Sequence, residues 1–288
     1  MIFLENEYLR AAIAPMGAEL QSLLHKTTGI EHMWNGDAAY WPKYSPVLFP
    51  IVGLLKDETY TYHNKTYTLP RHGFAREKMF SSEMINPAEV LFTLKADEAT
   101  LAVYPFEFIL KLRYRIHEHT LSCTYEVTNP GNDELLFSVG AHPAFAVPFT
   151  KEGSYDDYYL AFNKAENLQR WTLHQSLLTN ITEPLPTPNN RLLLNAPLFY
   201  QDAIVLKNLQ SNHITLACNS HSHGIHFSFN DFPYFGIWAA KDAPFVCLEP
   251  WCGIADNIAH NQDLENKEGI ERLPAGEDWK RMWEVECF

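Results

Sequence analysis

Phe106-Glu107-Phe108-Ile109-Leu110-Lys111-Leu112-Arg113-Tyr114-Arg115-Ile116 alternates apolar and polar side chains, broken only at Ile109. Leu121-Ser122-Cys123-Thr124-Tyr125-Glu126-Val127-Thr128 resumes the alternation after a short polar link, residues 117–120. Successive side chains of a strand point to opposite faces, so each stretch predicts a strand with one buried face. The link leaves room only for a reversal, which makes the pair an antiparallel hairpin. Asn129-Pro130-Gly131-Asn132 then ends it as a turn.

Short runs of the same kind recur outward from this hairpin, at residues 9–14, 89–94, 204–206, 213–218, 225–229 and 245–248. Eighteen prolines are spread through the chain and oppose long helices. Many short strands with frequent turn signals predict an all-β fold, a large antiparallel β-sandwich with few short helices, rather than an α/β alternation. There is no internal repeat and no low-complexity tract. Residues 182–190, with Pro184, Pro186 and Pro188, read as a surface loop and not a linker, so residues 1–288 are expected to form one domain. A domain of that size buries about three-quarters of its unfolded surface and needs no covalent staples.

Thirty-five acidic residues against twenty-two basic ones give a formal charge of −13. Such a surface repels nucleic acid and anionic membrane, which are bound largely through basic residues; it leaves a small neutral or locally chelated ligand open, and the plainer reading is that the charge only keeps the protein in solution. The five cysteines, Cys123, Cys218, Cys247, Cys252 and Cys287, are scattered and lack the paired spacing of a zinc or redox motif. They read as reduced residues in a reducing compartment. Residues 1–10 lack the basic start and apolar run of a signal peptide, and no stretch has the length of a membrane span, so the cytoplasm is the expected location.

Two segments carry candidate chemistry. Val139-Gly140-Ala141-His142-Pro143-Ala144-Phe145 sets one histidine, the side chain best suited to proton exchange near neutral pH, among small apolar residues. Val246-Cys247-Leu248-Glu249-Pro250-Trp251 places a carboxylate after an apolar run, where burial demands partners or a raised pKa. Taken singly, such a histidine is as a rule a hydrogen-bonded structural residue, and such a glutamate simply reaches solvent. Both directly precede proline, which favours extended backbone and suggests a strand end or edge. Leu69-Pro70-Arg71-His72-Gly73-Phe74-Ala75-Arg76 gathers two arginines and a histidine around a glycine, able to donate to hydroxyls or to a phosphate. Trp34, Trp41, Phe74, Trp238 and Trp251 are each more often core than platform, but offer flat apolar surface for a ligand, Trp251 foremost because it lies two residues from Glu249. His221, His223 and His226 read as a hairpin tip rather than a metal site, and there is no phosphate-cradling glycine loop.

Together, and in this order, Gly17-Ala18-Glu19-Leu20-Gln21-Ser22-Leu23, Ser45-Pro46-Val47-Leu48-Phe49-Pro50-Ile51-Val52-Gly53, residues 71–76, residues 140–145 and residues 247–251 resemble the aldose 1-epimerase (galactose mutarotase-like) family. The nearest likeness is to the bacterial branch associated with lactose-utilisation genes. The resemblance implies the mutarotase-type sandwich with an open sugar cleft, and cofactor-independent interconversion of the anomers of an aldohexose. It implies His142 as general acid and Glu249 as general base, with His72 and Asp202 holding sugar hydroxyls; Arg71, Arg76, Trp251 and Phe74, singled out above from the residues themselves, are expected to complete the binding surface. No metal is implied. The sequence departs from galactose mutarotases at Ala203, beside Asp202, and over residues 49–55, where their upstream arginine has no match. Arg76 could take that place. Two other readings remain open here: a hexose-6-phosphate 1-epimerase, motivated by Arg71 and Arg76, and a sugar-binding member without turnover. A glycoside hydrolase is disfavoured because only one carboxylate stands in a motif. Oligomeric state is not legible.

Overall fold

A computed structural model describes residues 1–288. The alternating stretch folds as expected into a hairpin of Ile109–His117 and Thr120–Thr128, in register from His117 opposite Thr120 to Ile109 opposite Thr128. Phe106 and Phe108 continue the alternation but precede the strand. They are buried all the same, because the chain enters the core before it joins the sheet.

The hairpin lies within a nine-stranded antiparallel sheet. In spatial order its strands are Arg191–Leu193, Tyr158–Phe162, His213–Cys218, Gly224–Ser228, Asp278–Cys287, Thr120–Thr128, Ile109–His117, Glu89–Lys95 and Ser81–Asn86. A second, seven-stranded sheet runs Val139–Gly140, Phe245–Cys252, Tyr234–Trp238, Ile204–Lys207, Gln169–His174 and Leu177–Pro184, with Ala144–Ala146 also paired to Phe245–Cys252. The first four strands, Ile2–Glu5, Leu9–Ala14, Glu19–His25 and Ile30–Glu31, form a smaller sheet. The fold is thus mostly antiparallel β. Its one α-helix, Glu98–Val103, is six residues long and is capped by Asp97, whose carboxylate accepts the Thr100 N–H at 2.7 Å.

The inner faces of the two large sheets meet in one continuous apolar cluster of 72 buried residues, drawn from Leu4 to Cys287. Leu110, Leu112, Tyr114 and Ile116 face inward while Arg115 faces solvent. Phe227 bridges the layers, with ring centroids 5.8 Å from Phe145 and 5.5 Å from Trp283. Polar ends of core aromatics are satisfied: Tyr114 donates to the Ala18 carbonyl at 2.9 Å and Tyr104 to the Leu136 carbonyl at 2.6 Å. The five cysteines are all buried and unpaired. No helix is long and apolar enough to cross a membrane.

Two expectations need correction. Residues 182–184 belong to the Leu177–Pro184 strand, so the proline-rich loop begins only after Pro184. Glu249 and Pro250 do not sit at a strand end either. They lie inside Phe245–Cys252, where every residue is buried. The reason is local. Pro250 lacks an N–H, and the strand on that side breaks at residues 141–143, leaving Ala141 N–H to reach the Pro250 carbonyl at 3.1 Å. Leu112→Ala, at a fully buried position of the founding hairpin, is expected to lower unfolding free energy by about 2–5 kcal/mol. Urea unfolding should show the midpoint shift at constant slope.

Candidate functional site

The break that accommodates Pro250 also builds the site. Gly140 faces Trp251 and Ala144 faces Cys247, and the same register carried between them sets His142 opposite Glu249. His142 lies between the two short strands, held on either side by the Ala141 N–H to the Pro250 carbonyl and the Leu248 N–H to the Pro143 carbonyl, and its Nε2 lies 3.3 Å from Glu249 Oε2. His142 is 8% exposed and Glu249 2%. They form the floor of a cleft of about 290 Å³, at the small end of ligand pockets.

His72 stands edge-on to His142, with ring centroids 5.8 Å apart. Its Nδ1 accepts the Gly53 N–H at 3.1 Å, which leaves the ring proton on Nε2. Burial holds His72 well below its ordinary pKa, with His142, Arg76 and Arg71 adding to the effect, so it is a fixed neutral donor. Its backbone sits at φ 66°, and the Phe49 N–H bonds its carbonyl. Non-glycine residues in that conformation are uncommon and concentrate where a side chain must be aimed.

Asp202, at φ 108°, precedes the strand Ile204–Lys207 on the opposite wall. Its carboxylate accepts from Ser176 Oγ at 3.1 Å and from the Ala203 N–H at 2.8 Å, and Arg170 donates to its carbonyl at 3.1 Å. Arg71 and Arg76 line the rim: Arg76 donates to the Arg71 carbonyl at 2.8 Å, while its Nε is buried without a hydrogen bond.

Trp251 lines the cleft and is 6% exposed. Its indole lies flat on two glycines of the neighbouring strands. A Cβ on Gly236 would come within 2.3 Å of the ring and one on Gly140 within 2.6 Å. Any larger residue at either position would push the ring off the sheet.

The electrostatics of the central pair are dominated by burial. It pushes His142 down to about 3, opposed by its own backbone and reinforced by Arg76 and Arg71. Burial likewise raises Glu249 well above the ordinary carboxylate range; the nearby Trp251 indole N–H opposes this and Asp202 adds to it. The unliganded pair therefore favours one proton held on the carboxyl beside a neutral imidazole.

These geometric features coincide with clear kinship. The sequence model described as aldose 1-epimerase matches residues 1–274. The chain belongs to the aldose 1-epimerase family. It is 30% identical over 294 residues to the chromosomal protein LacX of Lactococcus lactis subsp. lactis, covering 99% of this chain and 98% of that one. Among solved structures it resembles a galactose mutarotase related enzyme from Lactobacillus acidophilus, with a TM-score of 0.95 at 32% identity, covering 100% of this chain and 97% of that one. A galactose mutarotase-like protein from Lactobacillus casei ATCC 334 gives a TM-score of 0.94 at 34% identity, with both chains fully covered.

Seven of the eight candidate residues of this epimerase-family chain line the one cleft: His142, Glu249, His72, Arg71, Arg76, Asp202 and Trp251. Phe74 does not. Its ring packs in the core against Phe49, Tyr104 and Phe108, because the turn at Gly73 sends the next side chain inward. The aromatic surface comes instead from Trp41, stacked on His142 at 5.0 Å, and Trp238, edge-on to it at 5.6 Å. Both tryptophans were visible as sugar-platform material, but nothing in their local sequence tells which face they occupy. Ser176 and Arg170 carry no sequence signal at all.

The far wall, including Gly53, Leu54, Ile254 and Ala255, is held by a buried clamp. Lys267 donates to Asp256 Oδ1 at 2.6 Å and to the Ile254 carbonyl at 2.7 Å. Asp256 Oδ2 accepts the Lys56 N–H at 2.9 Å, and the Asp256 N–H donates to the Leu54 carbonyl at 2.9 Å. Lys267→Met would strand a buried carboxylate and is expected to cost about 3–5 kcal/mol, with the Asp256→Asn/Lys267→Met pair milder than the single change. Denaturant unfolding of the three proteins checks this.

Proposed function

We propose that this family member is an aldose 1-epimerase that interconverts the anomers of an aldohexose by ring opening and closure, without a cofactor. The observation that carries the reading is the buried His142–Glu249 pair, 3.3 Å apart, on the floor of a monosaccharide-sized cleft. Glu249 takes the proton of the anomeric hydroxyl as His142 gives one to the ring oxygen. The C5–O5 unit leaves C1 and an aldehyde forms. Rotation about C1–C2 and closure on the other carbonyl face, with the protons returned, yields the opposite anomer. His72 Nε2–H and Asp202 hold hydroxyls, and Trp41, Trp238 and Trp251 cover the apolar C–H surface. We take residues 1–288 as one catalytic domain that works in the cytoplasm.

The pair carries one proton throughout. Opening converts imidazolium and carboxylate into imidazole and carboxylic acid, which is the distribution that burial favours. The proton must first pass from the Glu249 carboxyl to His142 at a cost set by desolvation, and ring opening returns the pair to its favoured distribution. His142→Gln and Glu249→Gln are each expected to lose about 10²–10⁴-fold in kcat, and the double variant little more, because the two act as a unit. NMR or polarimetry on glucose and galactose measures this; wild-type rates equal to buffer, with sugar still bound, would make the protein a binder.

The pH dependence has a defined sign. A second proton on the pair removes the base, and burial pushes that event from the usual histidine range down to about 3. The rate plateau should therefore persist through pH 5, after subtraction of solvent catalysis. A limb centred near 6.5 would contradict the buried-pair account.

A phosphorylated hexose is the second reading, favoured by the unbonded Arg76 Nε and by Arg71 at the rim. If it holds, glucose 6-phosphate outpaces glucose, and Arg76→Ala removes most of the difference. A preference that survives the substitution takes Arg76 out of the account.

A further inference from the structure

The geometry points to a second use of the cleft floor: His142, Cys247 and Glu249 form an inhibitory site for a thiophilic divalent cation such as Zn²⁺, which competes there with the sugar. Cys247 lies two residues before Glu249 on the Phe245–Cys252 strand and shares its face, and Ala144 opposite it has no side chain large enough to intervene. A ring nitrogen of His142, the Cys247 sulfur and a Glu249 carboxylate oxygen all lie within 4.8 Å of one another, and all three residues are buried. His142 Nε2, already 3.3 Å from Glu249 Oε2, is the ring nitrogen placed to coordinate there. No step proposed for the epimerase uses the Cys247 thiol.

The donor set selects the ion. Thiolate, imidazole and carboxylate are the three ligand types of protein zinc sites, at bond lengths of about 2.3, 2.0–2.1 and 2.0–2.2 Å. Tetrahedral geometry with those bonds puts ligand atoms about 3.3–3.6 Å apart. The His142–Glu249 contact at 3.3 Å meets this already, and the sulfur needs to move by at most about 1.3 Å. Calcium and magnesium want several oxygen donors and find one carboxylate here. Three protein ligands leave a fourth position facing the cleft, where a water sits in place of a sugar hydroxyl. On binding, the thiol proton and the proton held on the Glu249 carboxyl both leave to water as the sulfur–metal and oxygen–metal bonds form, with no change of oxidation state. The ion then occupies the lone pairs of both the proposed acid and the proposed base. Competition with sugar rests on the epimerase reading, whereas binding of the cation does not.

Titration of the full-length protein with Co²⁺ separates the two. Wild type should develop a saturable near-ultraviolet thiolate-to-cobalt charge-transfer band with intense tetrahedral visible bands, bleached by Zn²⁺. Cys247→Ala, with Cys247→Ser as the alternative should alanine impair folding, should lack the charge-transfer band. In the anomer-exchange assay Zn²⁺ should inhibit wild type reversibly, with EDTA restoring the rate. The cysteine variant should keep its basal rate and need at least tenfold more Zn²⁺. Absence of the band in wild type, or its persistence without Cys247, overturns the site. Cobalt binding with no sugar turnover would sustain the site and sink the epimerase reading alone.

Discussion

The register of two interrupted strands against a third is the constraint on which the site depends. Gly140 opposite Trp251 and Ala144 opposite Cys247 set His142 across from Glu249. A slip of one residue would turn the carboxylate to the core side and an apolar residue to the cleft. The two prolines next to these residues make the interruption tolerable from both sides: neither has an N–H to lose, while the Pro250 carbonyl accepts from Ala141 and the Pro143 carbonyl from Leu248. Strand pairing, usually a matter of stability, here sets the separation of two proton carriers.

Placing them there is unfavourable on its own. A carboxylate and an imidazole lose most of their solvation in that floor, and a neutral pair with one proton is the least costly arrangement. The surroundings hold this arrangement rather than relax it. Gly53 fixes the tautomer of His72, Gly140 and Gly236 seat Trp251, and the Lys267–Asp256 clamp ties the far wall to two backbone segments. Each support is small, but together they keep side chains from collapsing into the cleft.

How much of this could be read beforehand follows from the range of each interaction. The Ile109–His117 and Thr120–Thr128 hairpin was legible because alternation and reversal are local. The strand at residues 245–248 was legible too, but its continuation through Glu249 and Pro250 was not. Proline signals a strand end unless the neighbouring strand is known to be broken there. His142 and Glu249 were singled out by an ordered resemblance along the chain, not by their chemistry alone. Phe74 was misjudged and Trp41 and Trp238 left unassigned, since an aromatic residue looks the same in sequence whether it faces core or cleft. The Asp256 clamp reaches Lys56 across 200 residues, and no local pattern encodes such a contact.

The nine-stranded sheet has a temporal consequence. Asp278–Cys287 lies between Thr120–Thr128 and Gly224–Ser228, joining two halves that touch nowhere else along that sheet. During synthesis both halves exist long before the strand that unites them, each with an open edge able to pair with the wrong partner. The layer can close only after residues beyond 278 leave the ribosome. Until then two open edges coexist, and the contact that unites them is long-range and correspondingly slow to form.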